Sequence, residues 1–153
     1  MSASQVFASV ARANSAHLLE YPATLARERP SRHRVGALPR PNRNNLKEFL
    51  IYGVKYVFPV EHGGETRGIP TAEAAPPLKE YFPQDFALPP VWPHPEGTVR
   101  GLEFSPISRN VPHAVLLDPK LYELLALVDA IREGRARERE IAVRELTERI
   151  DSK

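Results

Sequence analysis

The sequence contains no cysteine. Disulfide staples, thiolate zinc sites and cysteine nucleophiles are therefore excluded. No apolar run approaches the roughly 20 residues of a membrane span, and the opening residues lack the pattern of a secretion signal. A soluble, cytoplasmic protein with no membrane partner is expected. Five scattered histidines (His17, His33, His62, His94, His113) lack the i,i+4 partner or carboxylate spacing of a metal site. His62 between Glu61 and Glu65 comes nearest, but it has no second nitrogen ligand, and His62-Gly63-Gly64 reads as a flexible, solvated turn. Gly63-Gly64 with Thr66 and Arg67 offers glycines that let backbone amides approach an anion, without the spacing or lysine of a P-loop. No serine lies in a nucleophile-elbow pattern. The chain is expected to be no enzyme and to hold no cofactor and no metal.

What is present is proline, 16 in 153 residues, against a usual share of roughly 5%. Twelve of them lie from Pro59 to Pro119, a stretch that cannot be mostly regular helix or central strand. Apolar residues at 42% permit a buried core. The formal charge of +2 conceals an asymmetry: residues 1–60 carry +6, residues 61–118 carry −4, and residues 119–153 balance. A basic front end suits attraction to a phosphate backbone; it equally suits arginines that merely solubilise a loop.

Residues 2–16 read as a helix, with Ser2 and Gln5 matching a capping box. Ala3, Val6, Phe7, Val10 and Ala13 share one arc; Gln5, Ser9 and Arg12 share the other. Leu18-Leu19 opens a short strand. Residues 20–43 interleave Arg27, Arg29, Arg32, Arg34, Arg40 and Arg43 with four prolines and few apolar anchors (Leu25, Val35, Leu38), a basic loop or poorly ordered hairpin. A helix is expected over 45–57 from an Asn44 cap, with Leu46, Phe49, Leu50, Val54 and Val57 at spacings of three and four. Gly53 weakens it by about 1 kcal/mol against alanine, and Phe58-Pro59 ends it.

Residues 60–97 read as mostly irregular, extended across the surface of the helices, with Ile69, Leu78, Tyr81, Phe82, Phe86, Leu88 and Trp92 arguing against free disorder. Trp92 is a core anchor or, among its prolines, a recognition aromatic. A weak strand over 98–104 sets Val99, Gly101 and Glu103 against Leu102 and Phe104. A short helix or turn follows at Val111–Leu117. Asp118 as N-cap and Pro119 at the first position begin a helix whose stripe is Leu121, Leu124, Leu125, Val128 and Ile131. Gly134 closes it as a left-handed cap. A second helix over 135–151 buries Ile141, Ala142, Leu146 and Ile150 and pairs Arg137, Glu140, Arg144 and Glu148 along its outer face. This hairpin either packs within the chain or makes a homodimer.

The opening string MSASQVFASVARANSAHLL resembles the second half of a bacterial winged helix-turn-helix DNA-binding domain. Ser2, Ser4, Val6, Val10, Arg12 and Leu18-Leu19 fit the places of small polar residues, two spaced apolar residues, a base and the paired leucines before the wing. His17 stands where glycine is usual. The strings NLKEFLIYGVKYVFP, GGETRGIPTA and LYELLALVDAIREGRARERE resemble a group of bacterial regulator-like proteins that carry the other half of a helix-turn-helix upstream. The resemblance implies a transcription regulator whose recognition helix is residues 2–16 and whose basic wing follows. Ser4, Gln5, Ser9 and Arg12 would then face base edges, and Arg27, Arg29, Arg32, Arg34, Arg40 and Arg43 would face phosphates.

A recognition helix needs two preceding helices to cover its apolar arc, and alone it is marginal in water. The expectation is therefore a shortened parent with impaired binding, or a partner protein that supplies the missing helices. The expected fold is mainly α: residues 1–43 a partial winged helix, residues 44–153 a helical domain with a proline-rich wrap and a C-terminal helical hairpin. The expected partner is double-stranded DNA. The alternative is an ordinary amphipathic helix at the front of a protein–protein interaction module, antitoxin-like or a scaffold subunit, that binds no DNA.

Overall fold

The computed structural model describes residues 3–20, 40–83 and 85–152, and for residues 3–7 the backbone alone. It is mainly helical with two small sheets. The chain divides into two compact units, Met1–Glu48 and Phe49–Lys153.

In the first unit, helix α1 spans Ala3–Ser15. It ends in a Schellman turn: the Leu18 amide donates to the Ala13 carbonyl at 2.9 Å and the His17 amide to the Asn14 carbonyl at 2.9 Å. That geometry places the residue after the cap in the left-handed region, and His17 occupies it at φ 55°. Strand β1 (Leu19–Glu20) leaves the turn and pairs antiparallel with β2 (Arg40–Pro41), Leu19 opposite Pro41 and Glu20 opposite Arg40. Helix α2 covers Arg43–Glu48. Its cap is Asn42 and not Asn44, because the Asn42 carboxamide oxygen accepts from the Asn45 amide at 3.1 Å. The Asn45 carboxamide in turn donates to the His17 carbonyl at 2.9 Å, tying the start of α2 to the end of α1.

The second unit opens with a π turn, Phe49–Gly53, and helix α3, Val54–Val57. The helical path expected over 45–57 is thus present, with an extra residue in one turn. A Cβ on Gly53 would meet the Phe49 ring at 3.0 Å. The π turn advances the phase of everything after it: Val54 is buried as expected, while Val57 is exposed. Phe58-Pro59 ends the helix as the sequence requires.

The reading of residues 60–97 as mostly irregular needs correction. His62–Pro70 forms β3, the longest strand among the described residues, and Pro90–Pro93 forms β4. With β5 (Val99–Phe104) they close on one another, each pairing with both others. β3 runs antiparallel to β5 (Arg67 opposite Arg100) and to β4 (Ile69 opposite Trp92), while β4 and β5 are parallel, with Val91 opposite Glu103. Closure brings backbones together. A side chain at Gly101 would strike the Pro89 carbonyl. Nor does this stretch merely cover the helices. Thr71, Ala75, Leu78, Val91 and Trp92 are almost wholly buried and supply much of the core. Each large apolar side chain among them contributes about 1.5–3 kcal/mol of burial. The β5 alternation is different from that expected, with Phe104 buried and Leu102 exposed.

Helix α4 covers Val111–Leu117, α5 covers Pro119–Glu133 and α6 covers Ala136–Asp151. Asp118 caps α5, its carboxylate accepting from the Lys120 and Leu121 amides at 3.0 and 3.1 Å. Gly134 follows, but not as a left-handed cap, for its φ is −56° and ψ 148°. It is glycine for space: a Cβ would strike the Ala130 carbonyl. Glu138 accepts from the Arg135 amide at 2.8 Å and fixes the start of α6. The α5–α6 hairpin packs through Leu127, Ile131, Ala142 and Leu146 in one cluster with Val54, Ala72 and Leu78. A second cluster gathers Ile69, Trp92, Phe104, Val111 and Val115. The charge pattern on α6 also differs from that expected. Arg149 pairs with Glu145 and with Glu123, and Arg137 and Arg144 lie over the rings of Phe82 and Tyr81.

Candidate functional site: the basic helix and ribbon

Two arrangements bear on function, one in each unit. In the first, the order is helix, left-handed turn, strand, connecting segment, strand and helix. The left-handed turn needs a residue that tolerates positive φ, and Ala16-His17-Leu18 provides it at some cost, since a non-glycine residue pays about 1 kcal/mol there. The turn aims the chain straight from α1 into the ribbon.

Ser4 and Gln5 lie on the helical backbone of α1. Ser9 and Arg12 are exposed on it, with the Arg12 guanidinium donating to the Ser9 hydroxyl at 3.1 Å. Val10 and Ala13 are half-buried, so the apolar and polar arcs separate as the spacing requires. Arg40, on β2, and Arg43, at the start of α2, are both exposed. The ribbon brings Arg40 opposite Glu20. Arg27, Arg29, Arg32 and Arg34, along with Ser2, Leu25, Val35 and Leu38, lie outside the described residues.

The second arrangement was not legible in the sequence. Asp129 and Arg132, one turn apart on α5, form an ion pair at 2.7 Å with side chains only 2% and 1% exposed. The other Asp129 oxygen accepts from the Thr71 hydroxyl at 2.8 Å and the Trp92 indole N–H at 2.7 Å. Arg132 also donates to the carbonyls of Phe58 (2.8 Å), Pro59 (3.2 Å) and Ser105 (3.0 Å), and lies over the Phe104 ring. Burial pushes the Asp129 carboxyl up to about 6, against the pull of Arg132 and the two neutral donors. Among the described residues no buried side-chain polar atom lacks a partner.

The enclosed carboxylate joins α5 to the exit of β3 and to β4, and the guanidinium paired with it joins α5 to the exits of α3 and β5. The chemistry of the pair is that of a clamp holding the core together. Trp92 belongs to it, so it is a core anchor and not a surface recognition aromatic. Only the i,i+3 spacing of Asp129 and Arg132 hinted at the pair, and that spacing recurs on solvated helix faces.

The other residues raised by the sequence find plain roles. His62 Nε2 sits 2.7 Å from Glu133 and meets Phe104 edge-on. Gly63 and Gly64 lie in β3. A Cβ on Gly63 would strike the Glu103 carboxylate, so this part of the strand lies against negative charge where a phosphate cradle needs the opposite. No group of three or more metal-ligating side chains gathers among the described residues. No helix among them is long and apolar enough to cross a membrane. No family model, curated protein or solved structure matches this chain.

Proposed function

We propose that the first unit is a DNA-binding element of winged-helix type, in a transcription-regulator-like protein. α1 lies in the major groove, with Ser4, Gln5, Ser9 and Arg12 toward base edges. The segment between β1 and β2, with Arg27, Arg29, Arg32 and Arg34, tracks the phosphates together with Arg40 and Arg43. One observation carries this reading: α1 passes through a left-handed turn directly into an antiparallel ribbon, and the arginines lie in the segment that this ribbon brackets. The exposed Ser9 and Arg12 support the same face.

The test is fluorescence anisotropy of a labelled duplex titrated with the full chain across a range of salt. Binding should weaken steeply with salt. Arg32→Ala with Arg34→Ala should lower the log–log salt slope by roughly 2. An affinity indifferent to salt and to both arginines contradicts the proposal.

A second reading, a protein–protein interaction module, is favoured by the exposed aromatic ridge of the second unit, where Tyr52 is 68% and Tyr56 is 76% exposed beside Val57 and Phe58. Under that reading the arginine changes are silent and Tyr56→Asp abolishes complex formation, read by co-purification from the native host.

A further inference from the structure

The second unit carries a cleft of ≈ 340 Å³ that neither reading uses. We propose that this cleft binds a small organic cation, an ammonium or guanidinium group carried on an apolar body. The inference goes beyond the DNA-binding reading and rests on the second unit alone.

One wall is apolar. Phe86, Leu88 and Leu102 line it, and Leu88 and Leu102 stand 37% and 43% exposed, so apolar surface here is left open to solvent. The other side is acidic. Glu73 comes from the 3₁₀ turn Ala72–Ala74, Glu133 from the end of α5 and Glu138 from the first turn of α6. Against these three carboxylates stand His62, held by Glu133, and Arg135. Asp129 also lines the floor but is engaged by Arg132.

Only Arg135 among the lining groups, apart from that closed pair, is a permanent cation, so the balance of charge favours a cationic guest and disfavours an anionic one. Burial pushes the Glu73 carboxyl above its usual range, against a hydrogen bond from its own backbone; Glu138 and Glu133 push it the same way as burial, and Arg135 opposes. A cation beside it would relieve that strain. Size sets the class of ligand. A volume at the low end of the roughly 300–1,000 Å³ of small-molecule sites fits a ring or short chain with one charged head, not a folded peptide.

The experiment is an NMR titration of the isotope-labelled full chain with phenethylamine. Two companions dissect it: phenylacetate has the ring with the opposite charge, and methylamine has the charge without the ring. Phenethylamine should shift the Glu73, Leu102 and Gly134 amides saturably, and bind about tenfold or more tighter than either companion, a difference of roughly 1.4 kcal/mol. Glu73→Gln and Leu102→Ala, at sites that are not fully buried, should each weaken it severalfold, while Glu140→Gln on the outer face of α6 should not. Binding should tighten as pH rises and Glu73 ionises. Equal binding of phenylacetate, shifts scattered away from the cleft, no saturable shift, or indifference to both substitutions would overturn the proposal. None of these outcomes depends on DNA binding, which is scored separately by anisotropy.

Discussion

The two units are built on opposite terms. From Phe49 onward the chain buries Trp92, Leu78, Leu127, Ile131 and Leu146 almost completely, and closes an ion pair inside them. Up to Glu48 no side chain among the described residues is fully buried, and the elements are held by a helix cap, a two-residue ribbon and a carboxamide bridge from Asn45 to His17. The difference teaches where buried structure is concentrated among the described residues. The second unit has two clusters of buried apolar side chains. Among its described residues the first has exposed polar side chains and none that is fully buried, which suits the charged partner proposed for it.

The largest expected effect that sharpens this contrast is at Asp129. Asp129→Ala leaves the Arg132 guanidinium buried without its carboxylate, and leaves the Thr71 hydroxyl and the Trp92 indole without their acceptor. Breaking such a buried pair costs about 3–5 kcal/mol, which chemical denaturation followed by Trp92 fluorescence will read. By contrast, Arg12→Ala in the first unit should change stability by about 0.5 kcal/mol or less.

Acidity provides the next test, and two groups pull in opposite senses. Asp129 is raised to about 6 in the fold, so its contribution favours folding fully below its unfolded value and is lost as pH rises from about 4 to about 6. The stability of wild type relative to Asp129→Asn should therefore fall over that window in urea titrations. Glu145 is lowered, first by the Tyr81 hydroxyl that donates to it at 2.6 Å. Its contribution is present above the ordinary glutamate value and is lost as pH falls through the lowered one, so Tyr81→Phe should flatten the acid limb.

The smallest effect tests the first unit alone. His17 holds the left-handed position at φ 55°, and His17→Gly should stabilise the α1 turn by about 0.5–1 kcal/mol. The readout is slower hydrogen exchange confined to the amides around Ser15–Glu20. A loss of protection there would contradict the Schellman geometry.

Local signals in the sequence carried over well. Asp118-Pro119 and the leucine spacing that follows specify α5 through groups within a few residues of one another, and the hairpin with α6 followed. His17 in place of glycine put the turn in question, yet the turn is there, with His17 itself in the left-handed region. What failed depended on distant partners. β3 contains Gly63, Gly64 and Gly68 and little apolar alternation, so it reads as loop; it is a strand because β4 and β5, more than twenty residues further on, supply its hydrogen bonds. Gly134 was read as a conformational need, whereas the need is for room beside Ala130, and a sequence shows both as the same letter. Asp129 and Arg132 drew no notice in the sequence because nothing local reveals that Thr71 and Trp92 donate to the Asp129 carboxylate.

The most direct test of the central claim is hydrogen exchange on the full chain, with and without duplex DNA at low salt. The account predicts new protection over Ala3–Ser15, Leu19–Glu20 and Arg40–Glu48, with α5 and α6 unchanged. Protection that appears on Tyr52–Phe58 instead, or no change anywhere in the first unit, would contradict it.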